Sequence, residues 1–187
     1  MKIKVTTPLK VPFENAGHLL NYSKEAVSLV PEIVNVQYEK GSESEFGVGT
    51  VLRVKQVVRK SEEISTVEIL DFKKGEYVVQ RITQPYLIMT NRTALSRTDS
   101  NTLLHSDSDL EFTSLPFKLI SPVLAMALKR FYRKRYLRIA RHFDPTEKNH
   151  RISIKITMAG LPLWLILSLS WIGVFFVSFV FFRYTQK

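Results

Sequence analysis

The sequence predicts an α+β domain followed by a transmembrane helix. Three patterns in the 187 residues lead to this prediction. About seven short segments alternate apolar and polar residues as strands do. One long segment carries apolar residues at helical spacing, and the C-terminal part contains a long run without charge. Because consecutive strands joined by short polar turns usually pair with one another, we expect one antiparallel sheet.

The N-terminal part predicts one strand and two short helical segments. The strand covers Lys2–Thr7, where Ile3 and Val5 alternate with polar residues. A helical stretch opens at Pro12, and a second covers Ser23–Leu29. The second ends before Pro31, because the residue that precedes a proline is pushed out of helical conformation.

Six further strands and a long helix make up the rest of the predicted domain. The strands are Ile33–Lys40, Val51–Lys60, Glu62–Asp71, Tyr77–Ile82, Leu87–Ser96 and Thr102–Thr113. The helix covers Pro116–Phe143. Its apolar stripe consists of Leu124, Leu128, Tyr132, Tyr136, Ile139 and Phe143. A basic face lies opposite, at about 100° per residue.

This order of elements resembles the helix-grip fold of the START-like (SRPBCC) superfamily, which includes polyketide cyclase/dehydrase and coenzyme Q-binding proteins. The resemblance covers about residues 1–143. The segments that carry it are Val5-Thr6-Thr7-Pro8, Val11-Pro12-Phe13, Val30-Pro31 with Val34, and Gly47-Val48-Gly49-Thr50. It implies a curved antiparallel sheet around the long C-terminal helix, with an apolar cavity between them.

Such a cavity would bind a hydrophobic small molecule or lipid. The candidate lining residues are Val36, Tyr38, Val54, Val58, Leu124, Leu128 and Tyr132. Apolar pockets of this kind enclose most of a ligand and use few polar contacts. The alternative is that these side chains fill a core without a cavity, and the sequence does not separate the two.

The net positive charge of the chain comes entirely from its C-terminal third. The formal net charge is +10, and residues 129–187 supply all of it with 12 basic and 2 acidic side chains. The helix contributes Lys129, Arg130, Arg133, Lys134, Arg138 and Arg141 to a predicted membrane-surface contact with anionic lipid headgroups. Nucleic acid is a weaker alternative because the neighbouring aromatic residues lie mostly on the apolar stripe, and an ordinary solvated face is the third.

An uncharged run of 27 residues from Ile156 to Phe182 predicts a single transmembrane helix. The predicted organisation is a START-like domain over 1–145, a basic linker over 146–155, the span over 156–182 and a tail over 183–187. Because the basic residues precede the span, the positive-inside rule places the N-terminal domain in the cytoplasm. We therefore expect a single-pass membrane protein with a C-terminal anchor.

The sequence contains no pattern typical of an enzyme, a metal site or a cofactor site. It has no cysteine, and its four histidines show no metal-ligand spacing. His105, Asp107, Asp109 and Glu111 share one face of a strand. The opposite face carries Leu104, Leu110 and Phe112, so we expect the polar row to face water.

The predicted function is binding or presentation of a hydrophobic small molecule, such as a lipid or isoprenoid quinone, at the cytoplasmic membrane face. Two alternatives remain open. One is a cyclase or dehydrase acting on a hydrophobic substrate, which would need a polar group that projects into the cavity. The other is a membrane-surface interaction domain without a ligand, for which filling the cavity would leave activity unchanged.

Overall fold

Nine strands form one antiparallel sheet, and one long helix packs against it. The computed structural model describes residues 1–58, 61–98, 101–114, 117, 121–147, 149–158 and 161–162. The strands are β1 Lys2–Leu9, β2 Ile33–Lys40, β3 Val51–Val58, β4 Ser61–Lys73, β5 Tyr77–Gln84, β6 Leu87–Arg97, β7 Thr102–Phe112, β8 Ser153–Met158 and β9 Leu161–Pro162. The helices are α1 Lys24–Ser28 and α2 Ser121–Phe143, with 3-10 turns at Phe13–Asn15 and Gly17–Leu20.

The strands lie in the order β2-β3-β4-β5-β6-β7-β1-β8-β9. Six strands from β2 to β7 are therefore neighbours in both sequence and space, as short connections predict. The N-terminal β1 then returns to pair with β7, with Val5 opposite Ser106. Irregularities in the β2–β3 and β4–β5 pairings interrupt the ladder. Such bulges increase local twist and bend the sheet.

The helix α2 covers the inner face of the curved sheet. The fully buried side chains of that face include Ile3, Val5 and Leu52, and the α2 residues Tyr136 and Ala140 belong to the same apolar cluster. The α+β class, the antiparallel sheet and the long helix are thus confirmed. Of the predicted helix start, residues 116 and 118–120 lie outside the described residues.

The short helical segments leave the sheet and cross to the helix side. Ser23 begins α1, and its hydroxyl group accepts a hydrogen bond from the backbone N–H of Ala26 at 3.3 Å. This is the usual role of a serine N-cap, which satisfies one of the free N–H groups of the first turn. The chain then turns back to the sheet through Pro31, which prevents the helix from continuing.

The C-terminal membrane anchor is the main correction to the sequence interpretation. Within the part of the chain that the structure describes, no helix is long and apolar enough to cross a membrane. The predicted span was to begin at Ile156, but this residue lies in β8, opposite Ile3 of β1. The predicted single-pass localisation with a C-terminal anchor and a cytoplasmic domain is therefore wrong on the described residues. Residues 159–160 and 163–187, which make up the rest of the predicted span and the tail apart from Leu161–Pro162, lie outside them.

The physical reason is that a strand inside a sheet and the edge of a membrane span have the same local composition. Residues 153–158 read Ser-Ile-Lys-Ile-Thr-Met, in which apolar residues alternate with polar ones. Ile156 is buried against the core and Lys155 is exposed. The uncharged run thus includes part of a strand that extends the folded sheet beyond residue 145.

The role of β8 can be tested with two neighbouring substitutions. Ile156→Ala should lower the free energy of unfolding by about 2–4 kcal/mol, because it removes a buried side chain and leaves a cavity. Lys155→Ala, on the exposed face of the same strand, should change it by less than about 0.5 kcal/mol. Urea unfolding followed by circular dichroism measures both. Equal stabilities of the two variants would show that β8 does not belong to the cooperative unit.

Candidate ligand-binding cavity

A cavity of about 560 Å³ lies between the inner face of the sheet and α2. Its walls come from β3 to β7 on one side, from α2 on the other, and from the segment around α1. Sites that enclose small molecules commonly have 300–1,000 Å³, roughly, so this volume is suitable for a ligand. The alternative of a filled core without a cavity does not describe this chain.

Four of the seven predicted lining residues line this cavity: Val54 on β3, and Leu124, Leu128 and Tyr132 on α2. Val36 and Tyr38 of β2 instead pack at the edge of the apolar core and are not among the lining residues. Val58 lies at the end of β3, and its side chain is outside the described part of the structure. Whether any of these residues contacts a ligand stays a prediction.

Strand register divides the inner face into apolar and polar rows. The apolar row consists of Val67, Ile82, Met89 and Leu110, which are aligned across β4 to β7. On β5, β6 and β7, the next inward-facing position beside this row is polar. We define the polar belt as Gln80, Asn91, Thr93, Ser106 and Ser108 of the sheet, together with Tyr22, Tyr132 and Tyr136 from the helical side. The cavity therefore has an apolar section beside a hydrogen-bonding section.

The polar belt is organised around the side-chain amide of Asn91. Its Oδ1 accepts hydrogen bonds from the hydroxyl groups of Ser106 and Ser108, both at 2.9 Å. Its Nδ2 donates to Thr93 Oγ1 at 3.0 Å. Tyr132 donates to Ser108 Oγ at 3.4 Å, which joins α2 to the sheet. Because buried polar groups are costly without partners, this network holds the belt in one arrangement.

The tyrosines of the belt are neutral hydrogen-bonding groups at physiological pH. Burial raises the pKa of Tyr22 to about 12 and also raises the pKa values of Tyr132 and Tyr136. The Tyr22 hydroxyl group donates to Gln80 Oε1 at 3.1 Å. All three phenols therefore keep their protons and are uncharged. The hydroxyl hydrogens of Tyr22 and Tyr132 are used within the belt, and their oxygen atoms can still accept hydrogen bonds.

A second polar cluster lies beyond the apolar row, at the other end of the same strands. Ser65 Oγ accepts a hydrogen bond from Gln84 Nε2 at 2.9 Å. Glu63 accepts one from the Tyr86 hydroxyl group at 2.7 Å. Burial, followed by this hydrogen bond, raises the pKa of Tyr86, which stacks on Phe117 at 5.0 Å between ring centroids. The apolar section is thus flanked by polar groups on both sides.

The polar row of β7 lies on the outer face of the sheet, away from the cavity. Asp107 forms an ion pair with Lys4 at 2.9 Å, and about half of its side chain is exposed. His105 lies between Thr6 and Ser96, within 2.8 Å of the Ser96 hydroxyl group. Among the described residues, no group of three or more His, Asp or Glu side chains could hold a metal ion.

The basic face of α2 is directed away from the cavity. Lys129, Arg130, Arg133, Lys134 and Arg141 are exposed, and Arg138 forms an ion pair with Glu32 at 3.3 Å. Contact of this face with anionic lipid headgroups stays a prediction. Of these six residues, Arg138 already has an acidic partner within the described part of the domain.

Sequence reasoning missed the polar groups of the cavity. The interpretation of β7 rested on the acidic residues of its outer face and did not consider Ser106 and Ser108 on the inner face. The alternation itself contained the signal, since Leu104 and Leu110 must share a face with the two serines between them. The same alternation places Asn91 on one face with Met89 and Leu95, but only the β6–β7 register brings it opposite Ser108.

Comparison with solved structures shows which fold this is. Superposition on a START superfamily protein from Mycobacterium smegmatis covers 79% of this chain and all of that one, with a TM-score of 0.58 at 11% identity. The chain has the START-like fold. In all, 116 chains of solved structures match this one significantly. No family model and no curated protein sequence matches it.

Two other structural neighbours extend the comparison. One is the protein Ara h 8.0201, with 15% identity, coverage of 76% of this chain and 97% of that chain, and a TM-score of 0.58. The other is the di-domain ARO/CYC protein BexL of the BE-7585A biosynthetic pathway, with 15% identity and a TM-score of 0.61, for which the match covers 77% of this chain and 50% of that one. At these identities the START-like fold is shared, and the residues of the site have to be argued from this chain alone.

The hydrogen bonds to Asn91 predict a strongly non-additive response to substitution. Asn91→Leu removes the acceptor of two buried hydroxyl groups and should lower the free energy of unfolding by about 2–4 kcal/mol. Combining it with Ser106→Ala and Ser108→Ala removes the stranded hydroxyl groups as well, so the triple variant should be no less stable than Asn91→Leu. Urea unfolding measures both, and additive losses would contradict the network.

The raised pKa of Tyr22 predicts a loss of stability at high pH. In the unfolded chain the phenol ionises near its ordinary pKa of about 10, whereas in the folded chain it keeps its proton until about pH 12. Its contribution is therefore complete below pH 10 and is lost as pH rises from there. Between pH 9 and 11 the free energy of unfolding should fall by about 1 kcal/mol less in Tyr22→Phe than in the native sequence. Parallel curves for the two proteins would show that Tyr22 titrates normally.

Proposed function

We propose that this chain binds a hydrophobic small molecule in the cavity between the sheet and α2. The observation that carries the proposal is the cavity itself, at about 560 Å³ with an apolar section between two polar ones. Core side chains normally pack without voids larger than a water molecule. A space of this size within a hydrophobic core is therefore best explained by an occupant.

The lining indicates the kind of molecule that fits. The apolar row of the sheet faces Leu124 and Leu128 of α2, so an elongated apolar part, as in a lipid or an isoprenoid, lies between them in the bound state. Each Å² of apolar surface removed from water contributes roughly 25 cal/mol. The polar belt then orients the molecule, because its oxygen or nitrogen atoms bind where the donors and acceptors are.

The fold supports this proposal without identifying the ligand. A START superfamily protein and an ARO/CYC protein share the architecture at 11% and 15% identity. What such neighbours bind or catalyse does not transfer at this distance, since function depends on particular residues of a site. The proposal therefore depends on the cavity of this chain and its lining.

A second candidate function, a cyclase- or dehydrase-type reaction, is favoured by the polar belt. The second hydrogen of Asn91 Nδ2, which the network does not use, could stabilise negative charge that develops on a carbonyl oxygen. Such a reaction also needs a general base close to the substrate. Among the described residues that line the cavity, Glu63 is the one carboxylate and no histidine is present. Glu63 lies in the second polar cluster, and its carboxylate already accepts a hydrogen bond from the Tyr86 hydroxyl group. We therefore favour binding over catalysis.

Filling the cavity tests the proposed function. Ile82→Trp places an indole in the middle of the apolar row and should weaken binding of the neutral fluorescent probe Nile red at least ~10-fold, since probe and side chain compete for one space. The matched control is Thr83→Trp, which adds the same group on the exposed face of β5. Fluorescence titration of the full chain measures the affinities, and circular dichroism verifies folding.

The two variants also separate the cavity from other apolar parts of the chain. If Nile red binds to Ile82→Trp and Thr83→Trp with equal affinity, the probe does not occupy the cavity. Equal binding would leave the surface-interaction alternative in place of the proposal. Native mass spectrometry of the purified native chain provides an independent measurement, in which a co-purifying small molecule should be present and should be absent from Ile82→Trp.

A further inference from the structure

We propose that the ligand of this cavity carries an anionic group, such as a carboxylate or a phosphate, and that Arg135 binds it. The inference deepens the proposed function and depends on it. It assigns the polar end of the ligand to the polar belt and its apolar part to the row beside it. Arg135 is a lining residue of the cavity, on the same helix as Tyr132 and Tyr136.

The position of Arg135 on α2 is unusual for a cation. It follows Leu124 by about three full helical turns, which places it within about 20° of the apolar stripe. The neighbouring Arg133 and Lys134 point outward and are exposed, whereas Arg135 is half-buried at the cavity. One positive charge of α2 is thus separated from the rest and faces the enclosed space.

The guanidinium group has no acidic partner in the described part of the structure. The ion pairs found there include Arg138 with Glu32 at 3.3 Å and Lys10 with Asp144 at 2.7 Å, but none involves Arg135. A charge removed from water is unfavourable unless an opposite charge or strong hydrogen bonds compensate it. The planar, five-donor guanidinium group matches carboxylate and phosphate oxygens in geometry.

The surroundings of Arg135 suit an anion in a second respect. Arg135 lines the same cavity as Tyr22, Tyr132 and Tyr136, and its positive charge acts on all three phenols. Because burial keeps these phenols protonated, they are uncharged and do not repel an anion. Asn91 adds a donor, since only one hydrogen of its Nδ2 is used within the network.

The one carboxylate of the described lining does not occupy this place. Glu63 lies at the start of β4, paired with Gln56 of β3, and the apolar row separates that end of the sheet from the polar belt. Its carboxylate accepts the Tyr86 hydroxyl group at 2.7 Å. Among the described residues, the cavity therefore has a carboxylate with a partner at one end and a guanidinium group without an acidic partner at the other.

A pair of probes that differ only in their head group tests the inference. Dodecanoate and dodecan-1-ol have the same apolar chain, so their affinities for the full chain, measured by isothermal titration calorimetry at pH 8, differ by the contribution of the anion. We expect dodecanoate to bind roughly 10- to 100-fold more tightly, the range that hydrogen bonds to charged groups supply. In Arg135→Gln this preference should fall below about 3-fold while the affinity for the alcohol is retained.

Two further variants make the result specific. Arg133→Gln removes the same charge from the exposed face of α2 and should keep the full preference for dodecanoate. Arg135→Lys keeps the charge without the bidentate geometry and should retain part of the preference, which also covers the case in which Arg135→Gln does not fold. Preference for dodecanoate that persists in Arg135→Gln, or that is unchanged between Arg135→Lys and a folded Arg135→Gln, would overturn the inference.

The native chain distinguishes this inference from the proposed function. If both probes bind with equal affinity and Ile82→Trp weakens both, the cavity binds apolar molecules but Arg135 does not select an anion. If neither probe binds, the proposed function fails, and the inference fails with it.

Discussion

The side chain of Asn91 is the point on which the structure of the cavity depends. Two serines of β7 donate to its one oxygen, and the same serines are within reach of the tyrosines of α2. The sheet and the helix are therefore joined through a polar contact at the place where a core would ordinarily be apolar. Because such a network is stable only when its members are satisfied together, it specifies both the β6–β7 register and the position of α2.

The cavity combines two environments that one ligand can use together. Along the strands, an apolar row lies between a belt of neutral hydroxyl and amide groups and a second polar cluster. An amphipathic molecule matches this sequence of environments better than a purely apolar one. The charged groups of the cavity also favour an amphipathic ligand, and specifically an anionic one. In the described residues the Arg135 guanidinium group has no acidic partner, whereas the Glu63 carboxylate accepts a hydrogen bond from Tyr86.

A cyclase- or dehydrase-type reaction requires a hydrogen-bond donor for the oxyanion and a general base beside it. Donors that stabilise an oxyanion are present in the polar belt, but a proton-accepting group beside them is not among the described lining residues. The groups that resemble acid/base residues in sequence, His105 and Asp107, are on the outer face of the sheet. Burial raises the pKa values of the belt tyrosines, so these phenols are protonated at neutral pH and do not act as bases. These observations are the reason for proposing binding ahead of catalysis.

The spacing of apolar residues within a segment predicted most helices and strands correctly. It failed for a strand whose partner is distant in the sequence. Alternation in Ile33–Lys40 and Thr102–Phe112 and the helical spacing from Leu124 to Phe143 follow from burial of one face, which nearby residues report. The strand β8 was missed because its partner, β1, lies about 150 residues away in the chain, and an uncharged run looks the same in a sheet as in a span. Arg135 belonged neither to the predicted apolar stripe nor to the predicted membrane-surface contact, and only the tertiary structure places it at the cavity.

By itself, then, the sequence determined the α+β class, the succession of strands, the apolar stripe of α2 and the exposure of its basic face. These depend on the period of side chains along one element, which is written locally. Only the tertiary structure decided that polar rows of β5, β6 and β7 align across the sheet, that Asn91 meets Ser106 and Ser108, and that Arg135 faces a cavity. The reason is that register and enclosed volume arise from contacts between distant segments, and no single segment carries them.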